Sequence, residues 1–319
     1  MSYNVAIIGV GSLGARYVQG LASARMKLRI YAVDPSVDAI LACAELWQRA
    51  GGNESNNTIS FHSAIDHLPR SLDLTIVATS SYGRAEIISR IAGTANVTYW
   101  IIEKVLAQSE EELYKILEVT SGALGRWVNT PMRQMRWFRD IKNILGDKAL
   151  VMCSKTGGDW GLACNSIHYI DLFSWLSGEE LISIDTTELG PTWMQAKRKG
   201  YFEVRGSLRL RYSGGLEAVL ISDEEKLQSL IELDSGQGGL IVIDEKSGRA
   251  ETNDGRCMRG QLELQSQLTA PLVSLLLADG VCELPSLAES VRQHSLFLDA
   301  MLKHWNKSNG YNQKRVPIT

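Results

Sequence analysis

"NVAIIGVGSLGARYVQGL" (Asn4–Leu21) sets three glycines, Gly9, Gly11 and Gly14, directly behind an apolar run. Val5–Val10 reads as a buried strand and Gly14–Ala24 as a helix, so the glycines occupy the turn between them. A second strand, Leu28–Val33, ends at Asp34-Pro35 and completes a β-α-β unit. In that setting G-x-G-x-x-G is a dinucleotide fingerprint, with its acidic residue, Asp34, about twenty positions further on. Gly9 serves the tight turn, Gly11 lets the backbone approach a pyrophosphate, and Gly14 lets helix and strand pack closely. The helix N-terminus offers unpaired N–H groups to the phosphates. Asp34 accepts from the adenosine ribose hydroxyls and repels a 2′-phosphate, which favours NAD over NADP.

The alternation continues with a helix over Val37–Arg49, a strand over Ser71–Thr79, a helix over Arg84–Ala92 and a strand over Thr98–Lys104. Strands and helices in this order imply a parallel sheet covered on both faces. The polar stretch Gly51–Ser60 reads as an exposed loop. After Gly125 the texture changes: a helical segment, Ser166–Leu176, precedes strand-like runs at Leu181–Leu189, Phe202–Tyr212, Leu216–Ser222, Ser229–Ser235 and Gly239–Glu245. Gly214-Gly215 and Gly236 to Gly239 mark turns, and helical patterns close the chain at Gly260–Ala278 and Ser286–Asn306. The expected fold class is α/β. A Rossmann doubly wound parallel sheet occupies residues 1–125, and an α+β domain with a large, mostly antiparallel sheet occupies 126–319. The first domain is expected to bind NAD, the second to bind substrate and to assemble. A broad antiparallel sheet without a second helical layer leaves an apolar face for another copy, hence a homodimer or homotetramer.

The 319 residues carry 33 Lys and Arg against 36 Asp and Glu, a net charge of -3. Interspersed charge of this size leaves no footprint for nucleic acid or an anionic membrane. The five cysteines form no C-x-x-C pair, so neither a disulfide framework nor a zinc site is indicated and a cytoplasmic location is expected. No basic leader region opens the chain, and no run reaches the ~18 apolar residues of a membrane span. His62, His67, His294 and His304 show no metal-ligand spacing, and no metal is expected.

"VAIIGVGSLGARYVQGL", "DLTIVATSSYGRAEII", "IIEKVLAQS" and "NSIHYIDLFSWLSG" resemble, in order and spacing, the glucose-fructose oxidoreductase and inositol dehydrogenase (Gfo/Idh/MocA) family over most of the chain. The resemblance implies a hydride exchanged between nicotinamide and a secondary alcohol of a sugar, inositol or nucleotide sugar. It places Lys104 of the Glu103-Lys104 pair beside the reacting oxygen and makes His168 the general acid/base. Lys104 follows a buried strand, at the sheet edge where ligands of doubly wound folds sit. His168 suits proton transfer because an imidazole titrates near ~6.5.

His168, Asp171 and Trp175 share a helical face, with Cys164 one turn earlier. The chain departs from the family at Val105, where proline is usual, and at Cys164, where an aspartate assists the histidine. The proton relay then falls to His168, helped by Asn165. Candidate cofactor contacts are Gly9, Gly11, Ser12, Leu13, Gly14, Asp34, Thr79, Ser80, Glu103 and Lys104. Candidate substrate contacts are Asn129, Arg133, Asn165 and Asp171, the last also a structural partner in such helices. Two other readings stay open: a non-catalytic NAD-binding sensor or scaffold, and an NAD-assisted glycosidase.

Overall fold

A computed structural model describes residues 2–236 and 238–319. The chain divides into two compact units. The first comprises residues up to Ala107, Glu111–Asn129 and Glu263–Ser290; the second comprises Gln108–Glu110, Thr130–Leu262 and Val291–Thr319.

In the first unit β1 (Tyr3–Ile8), α1 (Gly14–Leu21), β2 (Leu28–Val33), α2 (Val37–Arg49), β3 (Thr58–His62), β4 (Ser71–Val77), α3 (Arg84–Thr94), β5 (Asn96–Glu103), α4 (Glu110–Val119) and β6 (Gly125–Asn129) follow one another. The strands form a parallel sheet in the order β3-β2-β1-β4-β5-β6. β1 lies between β2 and β4, with Val5 opposite both Ile30 and Leu74. A strand hydrogen-bonded on both edges and covered on both faces has no exposed side, which is why Val5–Ile8 is uniformly apolar. The sheet order reverses at β1 and β4, the crevice where open α/β sheets place their ligands.

A helix from far along the chain, Gln265–Asp279, packs on α1. The approach is close at Gly20, where a Cβ would lie 2.5 Å from the Ser266 carbonyl oxygen.

The stretch expected as an exposed loop, Gly51–Ser60, is corrected here. It contains a 3-10 turn at Gly52–Glu54 and the first residues of β3. Asn57 within it is buried: its Oδ1 accepts from Leu28 N at 2.8 Å, and its Nδ2 donates to the Leu21 and Ala24 carbonyls at 3.2 and 3.1 Å. A polar side chain is buried because it satisfies backbone groups left over at the end of α1.

In the second unit α5 (Arg136–Leu145), β7 (Met152–Gly157) and α6 (Leu162–Ser177) lead into β8 (Leu181–Asp185), β9 (Leu189–Gln195), β10 (Phe202–Tyr212), β11 (Glu217–Ser222), β12 (Leu230–Asp234), β13 (Leu240–Asp244), β14 (Arg249–Thr252) and β15 (Cys257–Arg259). The sheet runs β15-β14-β13-β12-β7-β11-β10-β8, with β9 also paired to β10. β7 and β11 are parallel; the remaining pairings are antiparallel. α6 packs on β10 and β11. The fold class is thus a parallel Rossmann-like sheet followed by a large, mostly antiparallel one.

Two boundaries differ from the sequence reading. The run Leu181–Leu189 breaks into β8 and the start of β9, because the two pair with different parts of β10: β9 with Phe202–Gly206, across a register shift between Val204 and Gly206, and β8 with Arg209–Tyr212. Gly206, with φ +117°, takes the Glu188 carbonyl 2.5 Å from where a Cβ would stand. The helix expected from Gly260 starts at Gln265, since Cys257–Arg259 is drawn into the sheet as β15. Of the turn expected at 236–239, residue 237 lies outside the described residues.

Candidate functional site

The glycine turn divides its labour among three positions. Gly9 has φ +84°, and a Cβ there would meet Thr79 N at 2.9 Å. Gly14 faces the Gly9 carbonyl oxygen, 1.8 Å from its notional Cβ. At Gly11 no atom lies within 4 Å of a notional Cβ, so this glycine opens space toward the exterior. Gly11, Ser12 and Leu13 are exposed; α1 begins behind Leu13 with no side-chain cap and no acidic residue in its first turn. An uncapped helix N-terminus under a bare backbone is an anion cradle.

Asp34 stands at the carboxyl end of β2, its Oδ2 accepting from Val10 N and its Oδ1 from Ser36 N, both at 2.9 Å. Two backbone donors fix the carboxylate and leave lone pairs for further donors. Behind β4, Thr79 Oγ1 is buried without a hydrogen-bond partner among the described residues. A dinucleotide fits this set: a cradle that a Cβ would fill, a fixed carboxylate and an unsatisfied buried hydroxyl.

Lys104 follows β5 and is half-buried, whereas Ile101–Glu103 and Val105–Ala107 around it are buried. Arg84, 1% exposed, clamps the backbone on both sides of it. Its guanidinium donates to the carbonyls of Glu103 (2.5 Å), Val105 and Leu106 (3.2 Å), and to that of Thr79. One buried cation thus ties the ends of β4 and β5 together through backbone carbonyl oxygens. Sequence reading passed over Arg84, whose only local mark is its place at the start of α3. The peptide joining Lys104 to Val105 is cis.

Glu103 points into the unit. Its Oε1 accepts from the Tyr17 hydroxyl at 2.5 Å and from Asn129 Nδ2 at 2.7 Å, and Asn129 Nδ2 also donates to Gln265 Oε1 at 2.8 Å. Burial raises the Glu103 carboxyl above its ordinary range, against the opposing pull of these hydrogen bonds and the Arg84 charge. Ser80 is half-buried in the loop after β4.

In the second unit α6 runs between Gly161 and Gly178, both left-handed. Glu203 of β10 caps its start, Oε2 accepting from Ala163 N at 2.7 Å and Oε1 from Cys164 N at 3.2 Å. Most of the helix is buried; Asn165, His168, Trp175 and Ser177 are the half-exposed positions. Asn165 Nδ2 donates to the Trp160 carbonyl at 2.8 Å.

The helical face drawn from spacing therefore splits. His168 and Trp175 stay on the open side, while Asp171 is fully buried and accepts from Thr130 Oγ1 (2.8 Å), Arg133 Nε (2.8 Å) and Arg133 Nη2. Of the four expected substrate contacts, Arg133 and Asp171 are joined to each other, Asn129 is joined to Glu103, and Asn165 lies on the open side of α6.

Beneath α6 the sheet buries a second set that sequence reading missed. Lys155 of β7 donates to Glu245 and to Ser229 Oγ (2.5 Å), and the Tyr169 hydroxyl reaches Glu245 Oε1 at 3.1 Å. Burial lowers the Lys155 ammonium below its ordinary range against the pull of Glu245, and raises Tyr169. The Trp160 ring meets Tyr169 edge-on at 5.2 Å.

No protein-family model matches the chain, and no curated protein matches it in sequence. Solved structures match it in fold. An oxidoreductase from Agrobacterium radiobacter in complex with NAD+, L-tartaric acid and magnesium has a TM-score of 0.73 at 15% identity, over 96% of this chain and 97% of that one. Scyllo-inositol dehydrogenase from Lactobacillus casei, with bound NAD(H) and scyllo-inositol, has a TM-score of 0.68 at 14% identity, over 96% and 98%. The transcriptional regulator Gal80p from Kluyveromyces lactis has a TM-score of 0.69 at 12% identity, over 96% and 93%. The fold is that of Gfo/Idh/MocA-type oxidoreductases.

Proposed function

We propose that this chain is an NAD-dependent oxidoreductase exchanging a hydride between nicotinamide and a secondary alcohol of a sugar, inositol or nucleotide sugar. Residues 1–125 serve the cofactor and 126–319 the substrate and assembly, in a cytoplasmic homodimer or homotetramer. The carrying observation is the glycine turn: Gly11 bare toward the exterior, α1 uncapped behind it, and the Asp34 carboxylate fixed at the end of β2. Dinucleotides bound to neighbours of the same fold support the reading.

When bound, the dinucleotide supplies the hydride acceptor or donor. Lys104 holds the substrate oxygen and stabilises charge on it as a carbonyl forms. In the oxidative direction a ring nitrogen of His168 takes the hydroxyl proton and later releases it to water. Asn165 assists by orienting the hydroxyl. Arg84, Glu103 and Asn129 keep the Lys104 segment in place, and Arg133 and Asp171 keep α6 in place.

A second reading, an NAD-binding regulator without turnover, draws on Cys164 in place of the family's aspartate and on the Gal80p fold. Turnover on a panel of sugars and polyols, together with NADH fluorescence titration, separates the two. Lys104→Ala and His168→Ala are each expected to lower turnover about 100-fold while leaving NADH affinity within about two-fold. NAD is expected to bind more tightly than NADP, and Asp34→Ser to narrow the gap. Near-normal turnover and an unchanged pH profile in His168→Ala would make the regulator the leading reading, and equal binding of both cofactors would remove Asp34 from the site.

A further inference from the structure

Tyr169 directly follows His168 on α6, yet Tyr169 is buried and His168 half-exposed. The Tyr169 hydroxyl donates to Glu245, just beyond β13, lying 3.1 Å from Oε1 and 3.3 Å from Oε2. Glu245 is held in turn. The fully buried Lys155 ammonium of β7 donates to it, and Ser229 Oγ donates to its Oε2 at 2.9 Å. The same ammonium stands over the Tyr169 ring, 5.0 Å from its centre. A buried ion pair often adds no stability over apolar residues of similar volume. What this one supplies is an acceptor fixed to the sheet at the point where the Tyr169 hydroxyl arrives.

α6 has use for such a point. Twelve of its sixteen residues are buried, so no boundary between a polar and an apolar face sets its roll about its own axis. Polar anchors can set it. At about 100° per residue, His168 projects between Tyr169, about 100° to one side, and Asp171, about 60° to the other. Asp171 is tied to Thr130 and Arg133, and Tyr169 to Glu245. With both anchors made, the imidazole between them has one direction.

We infer that Tyr169, held by the Lys155–Glu245 pair, is a positioning residue that fixes the roll of α6 and with it the direction of the His168 ring. This rests on the proposed function in that His168 moves the proton there. Tyr169 acts through the helix and does not touch the reacting atoms.

The test compares the full-length chain with Tyr169→Phe, with Lys155→Met/Glu245→Leu, and with all three changes together. Melting temperatures check that each variant is folded, and the apolar replacement of the pair is expected to cost little. Tyr169→Phe keeps the ring, so it remains decisive if the pair variant melts early. Nuclear magnetic resonance of the five histidine rings reads the position directly, His168 being assigned by the signal that disappears in His168→Ala. The His168 signal is expected to shift or broaden in Tyr169→Phe and in the pair variant, and no further in the triple variant, because the changes break one chain of contacts. With NAD and glucose or myo-inositol as probes, Tyr169→Phe is expected to lower kcat about ten-fold and leave KM within about two-fold. An unmoved His168 signal in folded Tyr169→Phe, or additive effects in the triple variant, overturns the inference. Unmoved signals with turnover abolished by His168→Ala would overturn it while sparing the proposed function. Displaced signals with full turnover in the same variants would sustain it and remove His168 from the chemistry instead.

Discussion

Glu103 is 3% exposed and takes two hydrogen bonds on one oxygen, an arrangement that needs a carboxyl or amide of that length. Its pKa is raised chiefly by burial, so the folded protein keeps a proton there at pH values where the unfolded chain has lost it. A raised carboxyl contributes stability that is fully present below the ordinary glutamate value of about 4.3 and is lost as pH rises through the folded value. Glu103→Gln keeps an oxygen acceptor but cannot titrate. Melting temperatures of wild type and variant, compared between about pH 4 and 8, are expected to diverge in favour of wild type on the acid side. A gap independent of pH would show that folding does not raise the Glu103 pKa. The Glu103-Lys104 pair was visible in the sequence. Arg84 was not, because the carbonyls it meets stand after β4 and at and beyond the end of β5, and backbone carbonyls carry no residue-type signal.

Among the elements, the β1–α1 turn tests its own reading. An empty tight loop and a phosphate cradle both need Gly9 and Gly14; only the cradle needs Gly11. Gly14→Ala pushes a methyl group into the Gly9 carbonyl and is expected to destabilise the fold by about 1–3 kcal/mol. Gly11→Ala meets open space and is expected to leave the melting temperature nearly unchanged while weakening NADH binding at least about ten-fold, read by fluorescence titration. If Gly11→Ala bound NADH normally, the turn would be structural alone. Buried strands and the glycine turn were legible because their pattern is local. The break between β8 and β9 was not, since it depends on which part of β10 each of them pairs with.

For the whole molecule, the face of the second sheet away from α6 predicts assembly. Val219, Ile221 and Val242 are half-buried on it, and Met152 beside them is exposed. Light scattering at micromolar concentration is expected to give a dimer or tetramer, and Val219→Glu a smaller species with unchanged circular dichroism. A strictly monomeric wild type would count against that face as an interface. The sequence by itself determined the alternating first half, the strand-rich second half, the glycine turn between β1 and α1 and the place of Asp34 at the end of β2, because strand and helix periods and turn chemistry act over a few residues. Tertiary structure alone decided that Glu263–Ser290 returns to the first unit, that Asn129 meets Gln265 across 136 positions, that Lys155 meets Glu245 across 90, and that Asp171 turns inward to Arg133. Each of these is a polar or close-packed partner chosen by the path of the chain in space, and burial demands such a partner without any local period to say which residue it is.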